Sequence, residues 1–398
     1  MRKRILSEIN KILADTIETR HLLHQIPEES FKEKDTASFI AEKLRALNLS
    51  VTTGLEQTGV TATISGVHPG NTVSLRADMD ALPIQETTTV PYTSKRQGYS
   101  HSCGHDGHVA CLLGTARVLV ALRDQLSGSV RFIFQPGEES GSGALTMINA
   151  GVLKNPRPVA VFAIHAWPGL PTGSVASMPG FLTAACSAFT ITVKGKGGHG
   201  ARPHMACSPI LGAARVVQSI SALSGTEKSS SLPCIASVGS IHGGMLGNVI
   251  PNTTIIKGTI RFTENALRPQ IEEKLKSMVH QACIEEHVVA DVAINSFSPA
   301  VYNHPTLYKL FEAVADNLLG EEKLAIITQR SMGSEDFAYY AQQTPGLLIR
   351  LGMGKSCAPL HTGNFDFSDH ALVSGIAVLT GLSLKASNRN YKIKEGML

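Results

Sequence analysis

Short apolar runs alternate with longer runs of helical periodicity through the first half of the chain. Runs typical of buried strands lie at 60–64, 72–77, 130–134 and 159–164, and an apolar helical run at 109–122 separates the second from the third. Strands that alternate with helices predict a mainly parallel sheet covered by helices on both faces. The fold class predicted for this part of the chain is therefore α/β.

The pattern changes near residue 184. The elements predicted over 184–296 run strand–helix–strand–strand–helix–strand, which is the order of a small ferredoxin-like α+β domain. A helix at 305–319 and a strand at 347–351 then resume the earlier pattern. We therefore predict one α/β domain formed by 1–183 and 297–398, with the ferredoxin-like domain inserted between its two parts.

Composition excludes several classes of protein. The net charge of +4 is scattered, and no basic run with aromatic residues suggests nucleic acid as a partner. No apolar stretch approaches the ~20 residues that a membrane span requires, and charged residues interrupt the N-terminal segment where a signal peptide would be apolar. The seven cysteines are widely spread and unpaired in spacing, which favours a reducing compartment. We expect a cytoplasmic protein without membrane or nucleic-acid partners.

Metal-binding chemistry is concentrated in the segment 101–108. It contains three histidines, a thiol and a carboxylate, with glycines between them. Cys103 and His105 are two residues apart, so on an irregular backbone both side chains can reach one centre. Thiolate and imidazole suit a borderline-soft divalent metal such as zinc. The alternative is a polar turn with solvated histidines, and further ligands elsewhere decide between the two.

Further candidate ligands directly follow predicted strands. Ligands of parallel α/β sheets bind beyond the carboxyl ends of the strands, so such side chains are expected to meet at one edge. These residues are Asp78, Asp80, Glu138, Glu139 and His165. His361, near the C-terminal end of the sequence, is a further candidate. The candidate metal ligands are Cys103, His105, Glu139, His165 and His361. Five ligands exceed the four of a tetrahedral zinc, which favours two ions joined by a bridging thiolate.

The adjacent pair Glu138 and Glu139 fits a division of roles. Two metal ions roughly 3.5–4 Å apart can activate a water and polarise a carbonyl group. Side chains of neighbouring residues diverge on a non-helical backbone, so Glu139 can bind metal while Glu138 acts as general base. The alternative is an acidic helix start. For Ser334-Glu335-Asp336-Phe337 we predict a helix cap with an acidic first turn, and a role in lining the site is the alternative, since the segment precedes the last strand.

Six segments resemble one known family along nearly the whole chain. The family is the aminoacylase/carboxypeptidase family of dinuclear metallopeptidases, in the branch of hippurate hydrolase, N-acyl-L-amino acid amidohydrolase and indole-acetyl-amino-acid hydrolase. The segments are Arg76-Ala77-Asp78-Met79-Asp80-Ala81-Leu82-Pro83, Cys103-Gly104-His105-Asp106-Gly107-His108, Gln135-Pro136-Gly137-Glu138-Glu139, Gly195-Lys196-Gly197-Gly198-His199-Gly200, Gly247-Asn248-Val249-Ile250-Pro251-Asn252 and Leu360-His361-Thr362.

The resemblance implies two divalent metal ions per subunit, zinc first, with manganese, cobalt or nickel as alternatives. It implies metal ligation by the five candidates above and Glu138 as general base. It places Cys103 where other branches use a bridging aspartate, and Arg76 where they use a metal-binding histidine. His105 then supplies the missing imidazole, and Asp78 contacts the ligands rather than the metal.

The resemblance also implies roles for the inserted domain as a lid and as the contact of a homodimer. His199 resembles a histidine that reaches into the partner subunit's site and steadies the oxyanion. Asn248 and Arg261 resemble residues that hold the substrate's carboxylate, arginine through its two-pronged guanidinium. From the residues alone, His199 is a solvated loop histidine and Arg261 an ordinary surface charge.

The function predicted from these observations is that of a metal-dependent amidohydrolase. Its substrates are N-acyl-amino acids of acetyl, benzoyl or aryl-acetyl type, cleaved to a carboxylic acid and a free amino acid. One alternative is a dipeptidase or carboxypeptidase on the same metal centre. Another alternative is a non-catalytic metal-binding module that has kept the fold.

Overall fold

The computed structural model describes residues 1–223 and 233–393. The chain forms two compact units. The first unit comprises Met1–Leu182, Val301–Gln329 and Asp336–Leu398, and the second comprises Thr183–Ala300 with Arg330–Glu335. The segment 330–335, which we predicted in the first domain, therefore belongs to the second unit. A segment of six residues is too short to show helix or strand periodicity, so the sequence gives no sign that it belongs to the second unit.

The described residues form helices and strands in the following order. The helices are α1 (Arg2–His24), α2 (Lys34–Ala46), α3 (His105–Ala121), α4 (Gly143–Asn149), α5 (Pro209–Leu223), α6 (Arg268–Ile284), α7 (Pro305–Leu319), α8 (Phe337–Gln343) and α9 (Leu372–Ala386). The strands are β1 (Ser50–Leu55), β2 (Gly59–Ser65), β3 (His68–Asp78), β4 (Ser127–Gln135), β5 (Ala160–Pro168), β6 (Val175–Ala176), β7 (Gly180–Phe181), β8 (Ala185–Lys194), β9 (Gly198–His199), β10 (Cys234–Gly243), β11 (Val249–Ile250), β12 (Thr253–Phe262), β13 (Val289–Ser298), β14 (Tyr302–Asn303) and β15 (Gly346–Gly354).

The first unit is built on a seven-stranded sheet with the order β1-β2-β4-β3-β5-β15-β6. The pairs β3–β4, β3–β5 and β5–β15 are parallel, whereas β1–β2, β2–β4 and β6–β15 are antiparallel. The sheet is thus mixed, and our expectation of a mainly parallel sheet holds only for its four central strands. β1 and β2 are joined by a short turn, a connection that only antiparallel neighbours can use.

The four central strands lie in the hydrophobic core of this unit. Leu75, Phe132, Phe162 and Ile349, one on each of these strands, are fully buried. α3 is buried around most of its circumference and packs against α1 and α9, as a central helix does. The carboxyl ends of the strands are therefore held by a packed core, and the residues that follow them start from fixed positions.

A buried polar cluster ties the end of α1 to distant loops. The Arg20 guanidinium lies 2.8 Å from Asp366 and 2.6 Å from Asp369. His24 Nδ1 lies 2.8 Å from Asp106 and its Nε2 lies 3.3 Å from Glu86. Burial lowers the pKa of His24, but the two carboxylates outweigh burial and raise the pKa to about 10. His24 is therefore a cation in the folded protein at neutral pH.

This pairing of His24 with two carboxylates should make the free energy of unfolding fall as the pH rises into the alkaline range. The pKa of His24 rises on folding from 6.5 to about 10, so its contribution is complete below pH 6.5 and is lost as pH rises through 10. We expect the difference in unfolding free energy between wild type and His24→Gln to shrink over this window, by on the order of a few kcal/mol at most. Urea unfolding at several pH values measures it, with the exposed His280→Gln as control. A difference that stays constant across the window would contradict the pairing.

The second unit is built on a four-stranded antiparallel sheet with the order β10-β12-β8-β13. Its main elements follow the chain order strand, helix, strand, strand, helix, strand. Residues of β8 alternate between buried and half-buried positions, while α5 packs on β10 and α6 packs on β13. A two-stranded sheet of β9 and β11 completes the unit, pairing His199 with Val249.

Within the described ranges, no helix combines the length and the apolar character that a bilayer crossing would need.

Candidate metal centre

A left-handed glycine sets the geometry between Cys103 and His105. Gly104 has φ +85°, and a Cβ atom there would lie 2.9 Å from the side chain of Ala166. α3 begins directly after it, at His105. Glycine tolerates this conformation and this close approach at no steric cost. The turn brings both side chains to the carboxyl end of β5, which carries His165.

The structure brings together all five predicted metal ligands. The donor atoms of Cys103, His105 and His165 lie within 4.8 Å of one another, and so do those of Cys103, Glu139 and His361. Cys103 Sγ is 3.6 Å from His165 Nε2, and Glu139 Oε1 is 3.5 Å from His361 Nε2. Cys103 belongs to both groups, which is the position of a shared ligand.

The chemistry of these groups fits a pair of divalent cations. His105 Nε2 and Glu139 Oε1 are buried and make no hydrogen bond of acceptable geometry to any described residue. Buried polar atoms normally have partners, because an unsatisfied one is costly. A thiol, imidazoles and a carboxylate are the donors that zinc and its neighbours accept. The two groups of three residues have only the thiol of Cys103 in common, so they suit two metal ions better than a single ion.

Two of the imidazoles differ in electrostatic environment. Burial lowers the pKa of His165 to about 3, so this ring is neutral and offers a lone pair. The neighbouring side chains of Cys103 and Glu139 raise the pKa of His361 to about 10. Metal ligation requires neutral imidazole, so binding at His361 releases a proton.

Asp78 lies behind the ligands and orients one histidine. Its Oδ1 accepts a 2.6 Å hydrogen bond from His108 Nδ1, and His108 Nε2 accepts one of 2.8 Å from the main-chain N–H of Ala166. Both nitrogens of His108 are thus used, which fixes the tautomer of the ring. Asp78 Oδ2 is 3.7 Å from His105 Nε2. Asp78 therefore lies beside His105 and His108.

Asp80 supports two ligands at once. Its main-chain oxygen is 2.9 Å from His105 Nδ1, and its Oδ2 accepts a 3.0 Å hydrogen bond from the N–H of Glu139. Ser30 Oγ donates a further bond of 2.7 Å to the same oxygen. Such partners fix the orientation of metal ligands. In the sequence, Asp80 was recognisable only as a residue that follows a predicted strand, and that position did not predict its contacts with His105 and Glu139.

The structure contradicts the helix-cap interpretation for Asp336. It precedes α8 at the N-cap position, but its side chain makes no capping hydrogen bond. Its carboxylate instead accepts a 2.7 Å bond from Arg76 Nη2 and bonds of 3.0 and 2.8 Å from Gln135 Nε2. The helix-cap prediction is therefore wrong for this side chain. A buried arginine needs a carboxylate, but the sequence does not say which one.

The remaining predicted site residues lie in the second unit. His199 and Asn248 are exposed neighbours there, since Gly200 N–H donates a 2.8 Å bond to the main-chain oxygen of Asn248. Arg261 lies on β12, and its guanidinium donates a 2.8 Å bond to the main-chain oxygen of Met332. His199 and Asn248 are thus brought together, and Arg261 is held separately in the same unit.

Comparison with known proteins identifies the family. The sequence profile of peptidase family M20/M25/M40 matches residues 74–385. Thermostable carboxypeptidase 2 of Saccharolobus solfataricus is 35% identical over 395 residues, which cover 97% of this chain and 99% of that protein. N-acetyl-L-cysteine deacetylase of Bacillus subtilis is 36% identical over 351 residues, covering 87% of this chain and 83% of the relative.

A solved structure agrees with these sequence matches. A dinuclear metal-binding peptidase of the M20 family from Bacillus subtilis superposes with a TM-score of 0.83 at 30% identity, covering 95% of this chain and 99% of that one. The resemblance carried by the six sequence segments is confirmed. The chain belongs to peptidase family M20/M25/M40, and it is a metal-dependent hydrolase of amide bonds.

Proposed function

We propose that this protein hydrolyses N-acyl-amino acids to a carboxylic acid and a free amino acid. One observation carries the proposal: Cys103 completes a ligand group with His105 and His165 and a second with Glu139 and His361. The similarity to a protein named as an N-acetyl-L-cysteine deacetylase supports an acyl-amino acid as substrate.

We assign the two ligand groups to two divalent ions. Zinc suits the thiol and imidazole donors best, and manganese, cobalt and nickel are the alternatives. A bound pair of such ions supplies Lewis acidity to the amide carbonyl and lowers the pKa of water. The five candidate ligands would hold these ions at the carboxyl ends of the strands, where Asp80 fixes the orientation of His105 and Glu139.

Glu138 is the proposed general base. Its carboxylate lies within 4.8 Å of the donor atoms of His105 and Glu139, so it stands beside the ligands. In the reaction water adds its oxygen to the amide carbon, and Glu138 takes the proton that water loses. The C–N bond then breaks as Glu138 returns this proton to the leaving nitrogen.

The second unit is assigned to substrate binding and assembly. Its element order and strand order support a ferredoxin-like fold. We assign to this inserted unit the roles of a lid and of the contact of a homodimer. Exposed apolar residues at Met245, Leu246 and Val249 support an assembly role. Within this unit we assign His199 to the oxyanion, in the partner subunit's site, and Asn248 and Arg261 to the substrate's carboxylate. The cytoplasm is the proposed location.

A carboxypeptidase activity is the second candidate. It is favoured by the 35% identity to thermostable carboxypeptidase 2, which extends over 97% of this chain. A carboxypeptidase or dipeptidase uses the same ligands but a different pocket, since a dipeptidase must recognise the free amino group of its substrate.

Metal-stripped protein, restored with one metal at a time, tests the proposal. We expect activity to return with zinc or one of its three alternatives. Acetyl- and benzoyl-amino acids should be cleaved with kcat/KM at least about tenfold above that for dipeptides, because a ΔΔG of about 1.4 kcal/mol already gives that ratio. Preference for dipeptides or longer peptides would favour the second candidate. Inactivity of metal-loaded protein on the whole panel would favour a non-catalytic module.

A further inference from the structure

Arg76 is a buried cation whose three guanidinium nitrogens each donate a hydrogen bond to a different side chain. Its Nε donates to Gln135 Oε1 at 2.8 Å, its Nη1 to Asp78 Oδ2 at 2.7 Å and its Nη2 to Asp336 Oδ1 at 2.7 Å. The side chain is fully buried, and so are those of both aspartates. A buried charge is tolerated only when it is paired and hydrogen-bonded in this way. Arg76 thus links Asp78, which lies beside the candidate metal ligands, to Asp336.

The carboxylate of Asp336 is held from three sides. Besides Arg76, Gln135 Nε2 donates to both of its oxygens, and Ala144 N–H donates to Oδ2 at 2.8 Å. Gln135 is the last residue of β4, and Ala144 lies in the first turn of α4. These two partners flank the loop that carries Glu138. The position of Asp336 is therefore fixed relative to both ends of that loop.

The main chain of Asp336 contacts the general base directly. Its N–H donates to Glu138 Oε1 across 3.4 Å. A main-chain N–H moves only with its own residue, so the bonds to the carboxylate of Asp336 also fix this donor. At 3.4 Å this hydrogen bond is long and weak, so it stabilises the anion little and leaves the carboxylate able to accept and pass on a proton.

We propose that Asp336 is a positioning residue for Glu138, with Arg76 and Gln135 as the side chains that hold it. The inference rests on the proposed function and adds to it the means by which the base is aimed. The competing explanation is that the network only stabilises the junction of β3, β4 and α8. The two explanations differ in what happens when Glu138 itself is changed.

Asp336→Asn is the first test. The amide keeps the size of the side chain but cannot accept from Arg76, Gln135 and Ala144 together, so the N–H should shift. We expect kcat to fall by about 10²-fold, the loss typical of a reacting group displaced by about 1 Å, with KM and bound metal unchanged. Should Asp336→Asn fail to fold, Gln135→Met removes one partner of Asp336 while leaving both buried charges paired, and a smaller fall in kcat is expected.

A double-mutant cycle with Glu138→Asp separates the two explanations. The shorter aspartate withdraws the carboxylate from the N–H of Asp336, so Asp336→Asn should cost less than about threefold in that background. A purely structural network predicts the same factor in both backgrounds, and that result would overturn the proposal. A fall in bound metal with unchanged kcat per metal-loaded molecule would overturn it as well.

Crystal structures of wild type and Asp336→Asn supply a readout that does not need turnover. We expect the carboxylate of Glu138 to occupy one orientation in the wild type and to leave it in the variant. An unchanged Glu138 would refute the positioning role even if wild-type protein cleaves no acyl-amino acid. Absence of wild-type turnover, by contrast, would count against the proposed function alone.

Discussion

Glu138→Gln is expected to abolish measurable turnover while the protein still binds its full complement of metal. Glutamine keeps the shape of the side chain, and its oxygen can still accept the hydrogen bond from Asp336 N–H that Glu138 Oε1 accepts at 3.4 Å. It cannot take a proton from water at neutral pH. General-base catalysis contributes about 10²–10⁴-fold, so kcat should fall by at least this range.

The neighbouring glutamate provides the matched control. Glu139 Oε1 is 3.5 Å from His361 Nε2 and belongs to the ligand group of Cys103. Glu139→Gln should therefore lower metal content and kcat together, whereas Glu138→Gln lowers kcat alone. Metal analysis after dialysis and steady-state kinetics measure both quantities on the same samples. Turnover retained by Glu138→Gln would remove this residue from the base role.

Sequence periodicity was sufficient for the central strands and the long helices. The runs at 72–77, 130–134 and 159–164 correspond to β3, β4 and β5, which are buried on both faces and therefore rich in apolar residues. β1 was not predicted, because its residues are mostly exposed and give no apolar alternation. Its antiparallel pairing with β2 adds to the antiparallel pairs β2–β4 and β6–β15, and these three pairs make the sheet mixed.

The clustering of the candidate ligands was predictable because these residues carry local signals. Cys103 and His105 flank a glycine before an apolar helix, Glu139 follows β4, and His165 lies in the last part of β5. Residue type and position in the chain were enough to group them. In the folded chain Glu139 lies beside His361, which comes more than 200 positions later in the sequence.

The buried ion pairs were not predictable, since nothing local marks their partners. Arg20 pairs with Asp366, which lies 346 positions later in the chain, and Arg76 pairs with Asp336, which lies 260 positions later. His24 looked like an ordinary residue at a helix end, yet it is buried against Asp106. Such pairs depend on tertiary packing, and in a single sequence each member resembles a surface charge.

Cys103→Ala is expected to weaken the binding of both metal ions and to reduce kcat by more than about 10²-fold, since one outer partner of a metal ligand is already worth 10–100-fold. Cys103 is the one residue common to both three-residue ligand groups. Losing it removes a donor from each group, whereas His165→Ala removes a donor from one group only. Metal titration should therefore show two weakened sites in Cys103→Ala and one in His165→Ala.

Two further substitutions make this comparison decisive. Cys357→Ser changes a half-buried cysteine that belongs to neither ligand group, and it should bind two ions as wild type does. Cys103→Asp restores a donor that can bridge two cations, so it should recover more bound metal than Cys103→Ala. If Cys103→Ala retained one ion at wild-type affinity, the thiolate would be a terminal ligand of the other ion. The two cations would then have to be bridged by a different group, and the shared position of Cys103 would not reflect shared coordination.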